Sequence, residues 1–271
     1  MRAFFFGITA VLISPAAASA QVLDFASTST FGDSLTDNDA IGSGPDPHEH
    51  VFRRNAAIGD ALSNYAVSGS TSRDLSPQVR AYRDDVRDGL TDPATFVGIA
   101  IGNGDITHHV GALAAEPPGV NPAVDAKLDG TAELIRGTAD GIVSHHPGGL
   151  LVLWTIGDVT KAPLLEDLTE AEAINVRAHI ERVNAEIWLE DARPEVIVFD
   201  TYAFMQDLVD EPPILRGTTV TLDDLYIDNR HPSALGNALG ANEVMQRLDA
   251  ELGTSLWLFT EEELADIAGF P

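Results

Sequence analysis

The 271-residue chain contains no cysteine. That excludes disulfides, a thiolate nucleophile, cysteine-based zinc or iron–sulfur sites and a lipidated N-terminal cysteine. Basic residues are scarce: 16 Lys+Arg stand against 42 Asp+Glu, a formal net charge of −26. So acidic a surface repels phosphate backbones and anionic headgroups, which excludes nucleic-acid binding as the main role and disfavours strongly anionic substrates. Past the first twenty residues no apolar run approaches the ~20 residues of a membrane-spanning helix. No integral membrane segment is therefore expected in the mature chain. Internal repeats, low-complexity tracts and long linkers are also missing, which points to one domain. The 44% hydrophobic content fits a globular protein.

The first twenty residues read as an export signal rather than as fold. Arg2 supplies a positive start, Ala3 to Ile13 an apolar stretch, and Pro15 a break before the small-residue site Ala18-Ser19-Ala20. The expected organisation is a cleaved signal segment, residues 1–20, followed by a single domain, residues 21–271. Removing Arg2 leaves 15 basic and 42 acidic side chains, a net of −27. The expected destination is secreted or periplasmic.

Along the rest of the chain, short apolar runs alternate with amphipathic stretches, the pattern of a sheet with crossover helices. Strands are expected at Ser27–Phe31, Ser63–Val67, Thr95–Ile101, Leu150–Ile156 and Glu195–Asp200. Three of these runs are continuously apolar, as in strands covered on both faces. Thr169 with Glu172 has capping-box spacing ahead of a helix bearing Val176, Ile180, Val183 and Ile187. Ser233 is expected to cap a second helix, Thr260 with Glu263 a third, and Asp125–Ser144 forms another despite its glycines. Loops are expected at Asn38–Asp46 and Asp105–Asn121, both rich in Gly, Pro and polar residues.

Ligands in parallel sheets bind beyond the carboxyl ends of the strands. Directly after the first strand comes Phe31-Gly32-Asp33-Ser34-Leu35-Thr36-Asp37-Asn38. A serine on such a turn suits a nucleophile whose own N–H faces an oxyanion, although a bare Gly-Asp-Ser suits a helix cap equally well. The G-x-S-x-G elbow of the α/β-hydrolases is absent. Asp228-Asn229-Arg230-His231-Pro232 offers a base and a carboxylate to orient it. The same D-x-x-H spacing recurs at Asp105–His108, so spacing alone does not decide between them. His48-x-His50, His108-His109 and His145-His146 fall in expected loops without the helical spacing and Glu of a zinc protease, so no metal site is expected.

Four blocks taken in order carry more. FGDSLTDN, then Asn64-Tyr65-Ala66-Val67-Ser68-Gly69-Ser70-Thr71-Ser72, then Ile101-Gly102-Asn103-Gly104-Asp105, then DNRHP resemble the blocks of GDSL-type, or SGNH, hydrolases. The resemblance runs from about residue 27 to about residue 250. It implies an α/β fold: a flavodoxin-like three-layer α/β/α sandwich with a central parallel sheet of about five strands. It further implies Ser34 as nucleophile, His231 as general base and then acid, and Asp228 as the residue orienting His231. Gly69 is implied as a backbone donor to the oxyanion.

The third block departs from the pattern. The family usually reads Gly-x-Asn-Asp there, with the Asn as a further oxyanion donor, whereas Gly104 holds that position here and Asn103 comes one residue early. Either the Gly-Asn-Gly turn shifts so that Asn103 reaches the oxyanion, or backbone and water serve there. Asn103 is taken as the expected donor. Trp154 is expected in the core, and the loops at Asn38–Arg54 and His108–Val120 to form the acyl or alcohol pocket.

The expected activity is hydrolysis of carboxylic esters with acetyl or short- to medium-chain acyl groups, through an acyl-enzyme, with no metal and no organic cofactor. The expected partner is a small-molecule, lipid or carbohydrate ester. An acyltransferase, thioesterase or lysophospholipase would use the same residues on another acceptor or substrate. A carbohydrate- or surface-binding module on a decayed scaffold is the reading of another class, supported only by the altered third block.

Overall fold

A computed structural model describes residues 23–37, 44–146 and 148–271. The expected signal segment and most of the loop expected from Asn38 lie outside the described residues. Five strands, β1 (Ser27–Gly32), β2 (Ala61–Asn64), β3 (Phe96–Ala100), β4 (Leu150–Trp154) and β5 (Val196–Phe199), form one parallel sheet in the order β2-β1-β3-β4-β5. This is the flavodoxin order, in which chain direction switches between β1 and β3 and a crevice opens at the carboxyl ends. Strands β3, β4 and β5 are buried along their whole length, which is why their sequences are unbroken apolar runs. The edge strand β2 ends at Asn64, earlier than expected, yet the chain stays tied to β1 as Tyr65 N–H donates to Thr30 O and Val67 N–H to Gly32 O.

Nine helices flank the sheet among the described residues: α1 (Pro47–Asn55), α2 (Leu75–Asp88), α3 (Asn103–Ala115), α4 (Pro122–His145), α5 (Glu170–Ile187), α6 (Thr201–Asp210), α7 (Leu222–Leu225), α8 (Ala234–Leu252) and α9 (Glu261–Ala268). Residues of α2, α3, α4 and α5 build the core on one face, with Tyr82, Ile106, Leu128, Ile135, Val176 and Ile180 among them. Val51 of α1 and Ala241, Val244, Met245 and Leu248 of α8 close the other face. The expected caps are present: Thr169 and Glu172 form a capping box on α5, Thr260 and Glu263 on α9, and Ser233 Oγ accepts the Gly236 N–H of α8. A small hairpin, β6 (Ile214–Leu215) with β7 (Thr218–Thr219), sits between α6 and α7.

Three expectations need correction. The segment Asp105–Asn121, expected as a loop, is helical as far as Ala115. Gly102, at φ 114°, turns the chain out of β3 directly into α3, and Pro117 and Pro118 follow only after the helix has ended. The segment expected as loop up to Arg54 is helical from Pro47, where Asp46 accepts the N–H groups of His48 and Glu49 and Pro47 opens the first turn. His48, His50, His108 and His109 are therefore helical residues, and His145 ends α4.

Candidate active site

The turn after β1 is shaped by what cannot fit. A Cβ at Gly32 would collide with Ala100 O and Thr36 Oγ1, so the chain approaches β3 closely only with glycine there. Asp33 N–H donates to Ala100 O, Thr36 and Asp37 N–H donate to Asp33 O, and Asp33 Oδ1 accepts the Leu35 N–H at 3.0 Å. Ser34 stands in this turn, and its own N–H has no protein partner among the described residues.

Burial pushes the Asp33 carboxyl up to about 7, and neighbouring Asp105 adds to the rise against opposing N–H groups of Leu35 and Gly104. The buried Gln78 of α2 locks the turn to the next loop. Its Oε1 accepts the Gly32 N–H at 2.9 Å, and its Nε2 donates to Gly32 O at 2.8 Å and to Ser70 Oγ at 3.2 Å.

The loop after β5 and its hairpin bring the base from 197 residues away. His231 Nε2 lies 3.0 Å from Ser34 Oγ, and His231 Nδ1 lies 2.7 Å from Asp228 Oδ2. Asp228 Oδ1 also accepts the Arg230 and His231 N–H groups, each at 2.7 Å. Partial desolvation raises the Asp228 carboxyl, but these hydrogen bonds outweigh it and hold the group at about 2. Asp228 therefore stays ionised at neutral pH, where it fixes the imidazole with Nδ1 protonated and Nε2 open toward the serine. The loop is held by Ile227 N–H to His231 O and by Leu164 N–H to Asn229 O at 2.7 Å.

Gly69 follows β2 at φ 82°, a conformation suited to glycine, and its N–H has no protein partner among the described residues. The altered third block has a steric explanation. A Cβ at Gly104 would sit 2.6 Å from Ser70 O, so the position where the family carries Asn has no room for a side chain here. Asn103, at the first position of α3, borders the crevice instead, with Oδ1 accepting the Gly157 N–H at 3.2 Å. That bond engages the amide oxygen, and the Nδ2 donor has no protein partner among the described residues. Asp105 turns away and accepts Ser72 N–H and Oγ–H at 2.8 Å and Thr131 Oγ–H at 3.1 Å. It makes no bond to His108. The two D-x-x-H segments, equal in spacing, are thus separated by structure.

Beside Ser34 the crevice deepens into a cavity of about 160 Å³. Among the described residues its apolar walls come mainly from segments other than the expected loops. They come from the turns after β4 (Val159, Ala162, Leu164) and from α6 (Phe204, Met205, Leu208), while His108 is the sole contributor from the expected segment His108–Val120. Trp154 is buried as expected but also borders this cavity. The histidine pairs serve packing: His48 lies against Trp154, His50 against Phe259, and His146 Nε2 is 3.1 Å from Tyr82 Oη. Among the described residues no group of three or more His, Asp or Glu is arranged to hold a metal, and no helix is long and apolar enough to cross a membrane. Sequence reasoning missed Gln78, for which a lone glutamine in an unanticipated helix gave no signal.

Residues 29–244 match the model of a family described as GDSL-like lipase/acylhydrolase. Solved structures of similar fold include the lipase Lip_vut3 from a goat rumen metagenome, at 17% identity and TM-score 0.59 over 82% of this chain and 96% of that one. Another is an acetyl-xylooligosaccharide esterase from a Geobacillus, at 18% identity and TM-score 0.53 over 89% of this chain and 99% of that one. An extracellular lipase from Streptomyces rimosus aligns at 16% identity and TM-score 0.50, over 83% of this chain and 99% of that one. No curated protein sequence matches the chain.

Proposed function

The chain belongs to the GDSL-like lipase/acylhydrolase family and is a carboxylic ester hydrolase, and from that premise we propose that it works through an acyl-enzyme on Ser34. The carrying observation is the continuous line Ser34 Oγ, His231 Nε2, His231 Nδ1, Asp228 Oδ2, with gaps of 3.0 and 2.7 Å. As the Ser34 oxygen attacks the ester carbonyl, its proton passes to His231 Nε2. The tetrahedral oxyanion is met by the Ser34 and Gly69 N–H groups and by Asn103 Nδ2. His231 then returns the proton to the departing alcohol oxygen, leaving the acyl group on Ser34. Water, deprotonated by His231, attacks this ester, and collapse releases the carboxylic acid and restores the serine proton. Asp228 stabilises the imidazolium formed in both halves.

The substrates are uncharged esters with acetyl or short- to medium-chain acyl groups. The protein is exported, with residues 1–20 removed and residues 21–271 acting as one catalytic domain; N-terminal sequencing of the secreted protein should begin at Gln21, and a start at Met1 contradicts this. Ser34→Ala should reduce p-nitrophenyl butyrate turnover by about 10³-fold or more, and retention of more than about a hundredth rejects Ser34 as nucleophile.

A further inference from the structure

We infer that α6 is the wall of an acyl-chain site, and that the enzyme takes esters of about four to eight acyl carbons in preference to acetyl esters, the apolar wall from Phe204 to Val209 running about 7.5 Å at 1.5 Å per residue. The inference rests on the assignment of Ser34 as nucleophile. Helix α6 is apolar in sequence, yet Thr201 alone of its 10 residues is buried. Phe204, Met205, Leu208 and Val209 lie at helical spacing on one side, and all four border the cavity beside Ser34. A helix ordinarily buries such a face against protein. Here Phe204 and Leu208 divide themselves between core and cavity, while Met205 and Val209 join none of the core clusters. The ties to the turn after β4 are polar: Lys161 pairs with Asp210 at 2.8 Å, and Gln206 Nε2 donates to Asp158 at 3.2 Å.

Met205 sets the direction. Its sulfur lies over Gly157, where a Cβ would collide with it, and the Gly157 N–H donates to Asn103 Oδ1. The apolar wall thus begins at the oxyanion edge of the site. The departing alcohol oxygen must lie within reach of His231 Nε2, where Asp228 and Arg230 are exposed and Arg230 and Pro232 form the cavity's outer border. Cavity therefore receives the acyl chain and solvent receives the alcohol. An acetyl methyl would leave most of this wall uncovered, whereas each further methylene buried against it should raise affinity about threefold to fourfold.

Alkylboronic acids separate the two sides, because the boron bonds to the serine oxygen and carries an alkyl group on the acyl side with no alcohol moiety. Titration calorimetry on the wild type should show Kd falling at least tenfold from methyl- to hexylboronic acid. That gain should shrink to under threefold in Leu208→Trp and in Val209→Trp, each checked for folding by circular dichroism. In kcat/KM, the wild type should favour p-nitrophenyl hexanoate over acetate by at least tenfold, and both variants should lose that ratio. Equal affinity for the two boronic acids in the wild type, or a gain that survives in folded variants, overturns the inference while leaving Ser34 untouched. Absence of any adduct in the wild type overturns both.

Discussion

Asp33 and Gln78 carry consequences out of proportion to their visibility. Asp33 is buried beside the nucleophile with its folded-state value raised to about 7. Between its ordinary value near 4 and about 7, the folded chain keeps a proton that the unfolded chain gives up, so stability contributed at this site falls as pH rises through that window. Asp33→Asn removes the titration. The Tm of the variant minus that of wild type should climb between pH 4 and pH 7 and then level, and a flat difference contradicts the assigned burial effect. Gln78→Leu leaves the buried Gly32 N–H without its partner and the Gly32 C=O with only the Val67 N–H, and should cost about 1–3 kcal/mol of stability. Because Gln78 ties the Ser34 turn to the loop of Gly69, kcat should drop by at least tenfold with KM changing less. Lost stability with intact kcat would make Gln78 purely structural. Asn103→Ala should lower kcat by about 10²-fold or more, as expected for one oxyanion donor, and a loss of less than a few-fold rejects that role.

Elements were legible where they face protein and obscure where they face something else. Strands β3, β4 and β5 announced themselves as unbroken apolar runs because helices cover both faces, and α5, α8 and α9 announced themselves through caps. Helix α1 buries Pro47, His48 and Glu49 along with Val51, so its inner face carries no apolar stripe for periodicity to find. Helix α3 begins at a Gly-Asn-Gly sequence that suits a loop, and the close approach of Gly104 to Ser70 O is a tertiary fact. Helix α6 turns its apolar side to a cavity, so periodicity gave no sign of its part in the pocket wall. The four sequence blocks singled out Ser34, Gly69, Asn103, Asp228 and His231, and the structure brings all five to one crevice. The displacement of Asn103 by one residue could be seen in sequence, but its Oδ1 contact to Gly157 could not. At this scale the capping box of α5 is testable: Thr169→Ala should cost about 1 kcal/mol with kcat unchanged, and a changed kcat would tie the cap to the site.

The whole molecule carries a charge of −26 around a site whose chemistry needs none of it. Self-repulsion of this size opposes compaction, and salt screens it over a Debye length of about 10 Å at 0.1 M. Tm should therefore rise by several degrees between about 0.02 and 0.5 M NaCl, and a Tm independent of salt would show the surface charge to be already balanced locally. With 42 carboxylic side chains and no thiol, the intact protein offers a clean background for trapping its nucleophile. Treated with a fluorophosphonate and analysed by intact-protein and peptide mass spectrometry, it should gain one adduct, located on Ser34. That adduct should vanish in Ser34→Ala and form far more slowly in His231→Ala. An unmodified Ser34 under conditions that label a known serine hydrolase, or an adduct on another residue, would contradict the catalytic account at its centre.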